Sequence, residues 1–94
     1  MFIVFLKLAN KDGISAHMEG HKKWLQRGFA DGVFLLAGSL APQAGGGLLV
    51  HGVTQDELQA RLDDDPFVAE GVATVEITEL APSRADERLA FLVE

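Results

Sequence analysis

The chain contains no cysteine. That excludes disulfides, thiol nucleophiles and cysteine-ligated metals, and it fits a reducing cytoplasm. Positive charge is scarce, since 8 Lys and Arg stand against 14 Asp and Glu, for a net charge of −6. Phosphate binding needs a basic face, and anionic membrane surfaces attract basic segments. Neither nucleic acid nor a membrane is therefore an expected partner. No apolar run approaches the roughly 20 residues that cross a bilayer. The opening stretch, Met1-Phe2-Ile3-Val4-Phe5-Leu6, is apolar, but its nearest charge, Lys7, follows it. A signal peptide has its charge before the apolar run and a small-residue cleavage site after it. Residues 1–8 are accordingly read as a strand, and the protein as cytoplasmic.

What is present is ample apolar material for a core. The chain has 94 residues and is 48% hydrophobic, enough for one core and too short for two. Residues 1–8 lack polar alternation, the mark of a strand covered on both faces. Asn10 to Gly13 reads as a loop. Ile14, Met18, His21, Leu25 and Phe29 then recur at steps of three and four, with His17, Trp24 and Gly28 alongside and Lys22, Lys23, Gln26 and Arg27 on the other side. That pattern predicts an amphipathic helix, closed by a turn at Asp31-Gly32.

Val33 to Gly38 predicts a second strand, apolar on both faces, and Gly47 to Val53 a third. Between them, Ala41 to Gly46 reads as a turn. Gly45-Gly46-Gly47 is not a phosphate loop, which needs a following helix and usually a lysine. Thr54 and Glu57 fit a capping box that opens a second helix through Leu58 and Leu62. Asp65-Pro66 restarts a short turn, with aspartate as N-cap and proline at the first helical position. Gly71 closes it. Val72 to Leu80 predicts a fourth strand with one wetter face. Ala81 to Glu94 is ambiguous between a helix capped by Ser83 and a strand in which Leu89, Phe91 and Val93 alternate.

The order strand, helix, strand, strand, helix, strand is the ferredoxin-like βαββαβ arrangement of the α+β class, with a four-stranded antiparallel sheet and both helices on one face. Strands apolar on both sides then call for a second cover. A second copy placed sheet against sheet would form a dimeric α+β barrel, driven by hydrophobic burial.

The chain resembles the YciI family over residues 1–82. The resemblance rests on the opening strand, His21 in His21-Lys22-Lys23-Trp24-Leu25, and Gly32 before Val33-Phe34-Leu35-Leu36-Ala37-Gly38. It continues through Gly46-Gly47, Asp56-Glu57-Leu58, Asp65-Pro66-Phe67 with Gly71, and the closing strand. It implies a homodimer, sometimes part of a larger assembly, with a pocket that holds a histidine and an aspartate. By position these are His21 and Asp65. Many members carry arginine three residues before the histidine, where this chain has Met18. After strand two the family often has Ala-Gly-Pro, whereas Ala37-Gly38-Ser39 adds a hydroxyl here. Residues 83–94 lie beyond the resemblance and are expected to pack on the partner subunit.

Each candidate has a plain and a chemical reading. His21 can act as a general acid or base near neutral pH, or it can be an inert histidine at the core edge. Asp65 can orient His21, or it can simply cap a helix; one carboxylate oxygen can do each. Trp24 and Phe67 can line a binding site or fill the core, and Ser39 can hydrogen-bond a ligand. Asp63 and Asp64 read as a solvated helix end. No metal is expected, although His17 and His21 share a helical face and His51 is a conceivable third ligand. The expectation is a cofactor-free enzyme of lyase or isomerase type, in which His21 moves a proton on a small organic substrate. The alternative is a non-catalytic small-molecule-binding or regulatory dimer on the same fold.

Overall fold

The computed structural model describes residues 1–93. Its sheet is built from β1 (Phe2–Leu8), β2 (Phe34–Leu40), β3 (Gly45–Val50) and β4 (Ala73–Glu79). The strand order is β2-β3-β1-β4 and every neighbouring pair is antiparallel. The helices are α1 (Ile14–Ala30), α2 (Gln55–Asp63) and the single turn α3 (Pro66–Ala69). This is the expected ferredoxin-like α+β architecture. Among the described residues, no helix is long and apolar enough to cross a membrane.

The side-chain period of a strand divides β1 into two faces. Phe2, Val4 and Leu6 are buried in one cluster with Leu48 and Val50 of β3, Trp24 of α1, Leu58 and Leu62 of α2, and Phe67 of α3. The helices therefore cover that face. Ile3 and Phe5 point the other way. With Leu36 and Leu49 they line a shallow apolar depression to which, among the described residues, no helix contributes. Leu36 is 60% exposed. The second face is thus as apolar as the sequence suggests, and it is open.

Local chemistry sets the element ends. Thr54 Oγ1 accepts from the Glu57 N–H, and a Glu57 carboxylate oxygen accepts from the Thr54 N–H. The backbone donor at Thr54, then its hydroxyl, hold the Glu57 carboxyl below its ordinary value. At the C-terminus of α1 the chain turns through Gly32, at φ 73°. Near that end Gly28 lies against β2, and a Cβ there would fall 2.1 Å from the Phe34 ring.

Three expectations need correction. Gly45 and Gly46 are not turn residues: with Gly47 they open β3, and the three pair with Lys7, Leu6 and Phe5 of β1. Close approach explains the glycine, since a Cβ on Gly45 would sit 1.9 Å from the Leu6 carbonyl oxygen. β3 also ends at Val50 rather than Val53, with His51 bonded through its backbone N–H to Val33 instead of continuing the ladder. The tail forms neither the helix capped by Ser83 nor a strand. Asp86 caps a short 3-10 stretch at Glu87–Leu92, broken by a non-helical Leu89. The Phe91 ring meets His51 edge-on at 5.5 Å. The placement of Glu94 lies outside the described residues.

The Gly28–Phe34 contact generates a prediction. Gly28→Ala forces a methyl into an aromatic ring and should destabilise by about 1–3 kcal/mol. Gly38→Ala, with nothing within 4 Å of the new Cβ, should stay within about 0.5 kcal/mol of the parent. Urea denaturation of both variants measures the difference.

Candidate functional site

The site is built where α1 crosses α3. Asp65 occupies the N-cap of α3, and its Oδ1 accepts from the Phe67 N–H at 3.1 Å. Pro66 follows at the first helical position, where a missing N–H costs nothing. The same Oδ1 lies 2.9 Å from His21 Nδ1. The Asp65 side chain is fully buried, and 13% of the His21 side chain is exposed. One carboxylate oxygen thus serves both as helix cap and as partner of the imidazole.

The geometry assigns the ring nitrogens. A carboxylate oxygen that already accepts from Phe67 requires a donor at Nδ1, so Nδ1 carries a proton. Nε2 makes no hydrogen bond among the described residues, and it is not among the buried polar atoms that lack a partner. It is therefore reachable from outside. Phe67 fixes the ring plane: its ring stacks on His21 at 4.2 Å between centroids and 7° between planes. Trp24 lies on His21 at 5.8 Å and 26° and is anchored by its indole N–H, which donates to the Arg61 carbonyl at 2.8 Å.

His21 and Phe67 line a cavity of about 380 Å³ between α1 and the sheet. Its walls are mostly apolar, with Leu6, Leu8, Met18, Leu25 and Leu48 among them. Ser39 lies on the sheet wall, beside the backbone of Gly45 to Gly47. The volume falls within the range of small-molecule sites.

The structure thus brings together His21, Asp65 and Phe67, and it sets Ser39 across the same cavity. Trp24 stands apart. It is buried behind the imidazole, does not line this cavity, and borders a separate depression with Arg27 and Glu57. His17 is not on the cavity wall. His51 turns its Nε2 to the Gly32 carbonyl at 2.9 Å. Among the described residues, no three His, Asp or Glu side chains are grouped to hold a metal. Asp63 and Asp64 are exposed at the end of α2, as expected of a solvated terminus.

One residue was misplaced by the sequence reading. Lys22, assigned above to the solvated side of α1, lines the cavity next to His21. Its distance from Met18 and Ile14, four and eight residues, is the signal that places it on their face.

Comparison with known proteins bears on the family and the fold. The model of the YCII-related domain family matches residues 1–81. The chain belongs to that family. No curated protein sequence matches it. Among solved structures, this YCII-related chain is similar to the 5-chloro-2-hydroxyhydroquinone dehydrochlorinase of Burkholderia phenoliruptrix AC1100, determined in complex with 2,5-dihydroxybenzoquinone. The TM-score is 0.67 at 14% identity, over 85% of this chain and 93% of the other. At that identity the likeness speaks for the fold.

The shared oxygen of Asp65 makes a stability prediction. Asp65→Ala removes the cap and leaves His21 Nδ1 without its partner, and it should cost about 2–3 kcal/mol. Asp65→Asn keeps a carbonyl oxygen for the Phe67 N–H and should cost less. Equal stability of Asp65→Ala and the parent in chemical denaturation would contradict the double role.

Proposed function

We propose that this YCII-related protein is a cofactor-independent enzyme, lyase- or isomerase-like, that transfers a proton on a small organic substrate through His21 and Asp65. The observation that carries the reading is the imidazole held by a buried carboxylate through Nδ1, with Nε2 left free on a residue that lines a cavity. In this role neutral His21 takes a proton at Nε2 from an acidic C–H or O–H of the substrate. Asp65 keeps the ring in the required tautomer and stabilises the imidazolium that forms. The proton then returns to a neighbouring position, or leaves after a leaving group has departed. Phe67 holds the ring plane, and Ser39 offers a hydroxyl from the opposite wall. Dehydrochlorination, the activity named for the similar structure, is a loss of hydrogen chloride and belongs to the same reaction class. The quinone in that complex points to ring-shaped or enolisable substrates for the reading proposed here.

The functional unit in this proposal is a homodimer. The open face with Ile3, Phe5, Leu36 and Leu49 would close on its copy, with residues 83–94 packed on the partner subunit. Support comes from the apolar lining of that face and from the exposure of Leu80, Leu89 and Phe91. One observation favours a second reading, a non-catalytic small-molecule-binding or regulatory dimer. The capping bond to the Phe67 N–H accounts for Asp65 without any chemistry.

Two experiments test the proposal. Proton abstraction is read as deuterium uptake from D2O into a panel of hydroxylated aromatic and enolisable compounds, followed by NMR. Wild-type protein should accelerate exchange in at least one of them, and His21→Gln should lower the rate by about 10²–10⁴-fold. Exchange that survives this substitution, or binding without exchange, would favour the second reading. Light scattering should give twice the chain mass for the parent and the single mass for Leu36→Glu; a monomeric parent would remove the dimer.

A further inference from the structure

Among the described residues, Lys22 is the only Lys, Arg, Asp or Glu side chain on the cavity wall. It is exposed and therefore sits at the rim, directly after His21 in α1. Lys7, Arg61 and Arg88 each pair with a carboxylate. Among the described residues Lys22 pairs with none. In a chain of net charge −6, an unpaired cation at the mouth of an acid-free, mainly apolar cavity is a local reversal of sign. Apolar walls favour an apolar ligand body. The ammonium group favours a single anionic group held near the opening, where its own solvation is least disturbed.

We infer that Lys22 is a specificity-determining residue and that the cavity takes small organic acids, either carboxylates or ionised ring hydroxyls. The anionic group binds Lys22, and the body lies against Met18, Leu25 and the Leu6–Leu8 wall, within reach of the Ser39 hydroxyl. Because Lys22 and His21 both line the cavity from α1, the anionic end and Nε2 are held on the same wall. The ligand's acidic C–H or O–H is thereby kept close to the proton acceptor. This inference rests on the proposal that the His21 cavity is the ligand site, and it names the substrate class for that site.

Matched probes test it. Benzoate and benzamide share a ring and differ in charge, and their binding to the intact protein is measured by calorimetry and by NMR shifts at His21 and Ser39. Benzoate should bind more tightly than benzamide, and added salt should weaken benzoate alone. Lys22→Gln should weaken benzoate about three- to tenfold and leave benzamide unchanged, while Lys22→Arg keeps the preference. Lys23→Gln, on the same helix but off the cavity wall, should change neither. Equal affinity of the parent for the two probes, or an equal loss in Lys23→Gln, overturns the role of Lys22 and leaves the cavity as a ligand site. Binding of neither probe at His21 and Ser39 overturns both. Benzoate binding retained in His21→Gln separates the binding role of Lys22 from the proton-transfer role of His21.

Discussion

A single oxygen, Asp65 Oδ1, accepts hydrogen bonds from the Phe67 N–H and from His21 Nδ1. The first bond fixes the start of α3, and the second ties that turn to α1. Together they set the plane, tautomer and neighbours of the imidazole. Oδ2 of the same carboxylate is buried and makes no hydrogen bond among the described residues. An unsatisfied buried acceptor costs about 1–3 kcal/mol, and more when charged. A buried group of this kind calls for an explanation, and a chemical role is one. The carboxylate is therefore both a structural joint and the strongest chemical feature of the fold.

The sheet supplies what this joint alone cannot. One face of β1 and β3 packs under the helices and forms the core. The same inner face runs on past the buried core to Ser39 and the Gly45–Gly47 segment, and there α1 lies over it without filling the space. Glycines in β3 leave that end without side chains. The cavity is thus a consequence of topology. It opens where the covering helix runs past the dense core and the strand beneath it has no bulk.

Membership of the YCII-related family and the fold shared with a dehydrochlorinase agree with the α+β architecture of this chain. The chemistry of this chain's own site is argued from its residues. Its cavity wall has methionine at position 18 and, among the described residues, a single Lys, Arg, Asp or Glu side chain, that of Lys22. Charge recognition is therefore assigned to a residue one helical turn further along and nearer to solvent.

By itself the sequence determined the elements whose signals are local. These are the helical period from Ile14, the capping box at Thr54 and Glu57, the aspartate–proline start at Asp65, and the two-faced apolar strands that imply a ferredoxin-like sheet. Each depends on near neighbours in the chain, so spacing alone reveals it. Resemblance singled out His21 and Asp65, but only the tertiary structure brought them within 2.9 Å across 44 residues. It also set Trp24 behind the imidazole and drew Gly45 and Gly46 into β3. Those outcomes were decided by where α1 lies on the sheet and by which strand backbones approach each other. A residue's neighbours across space are fixed only once the layers have packed, and no local period encodes them.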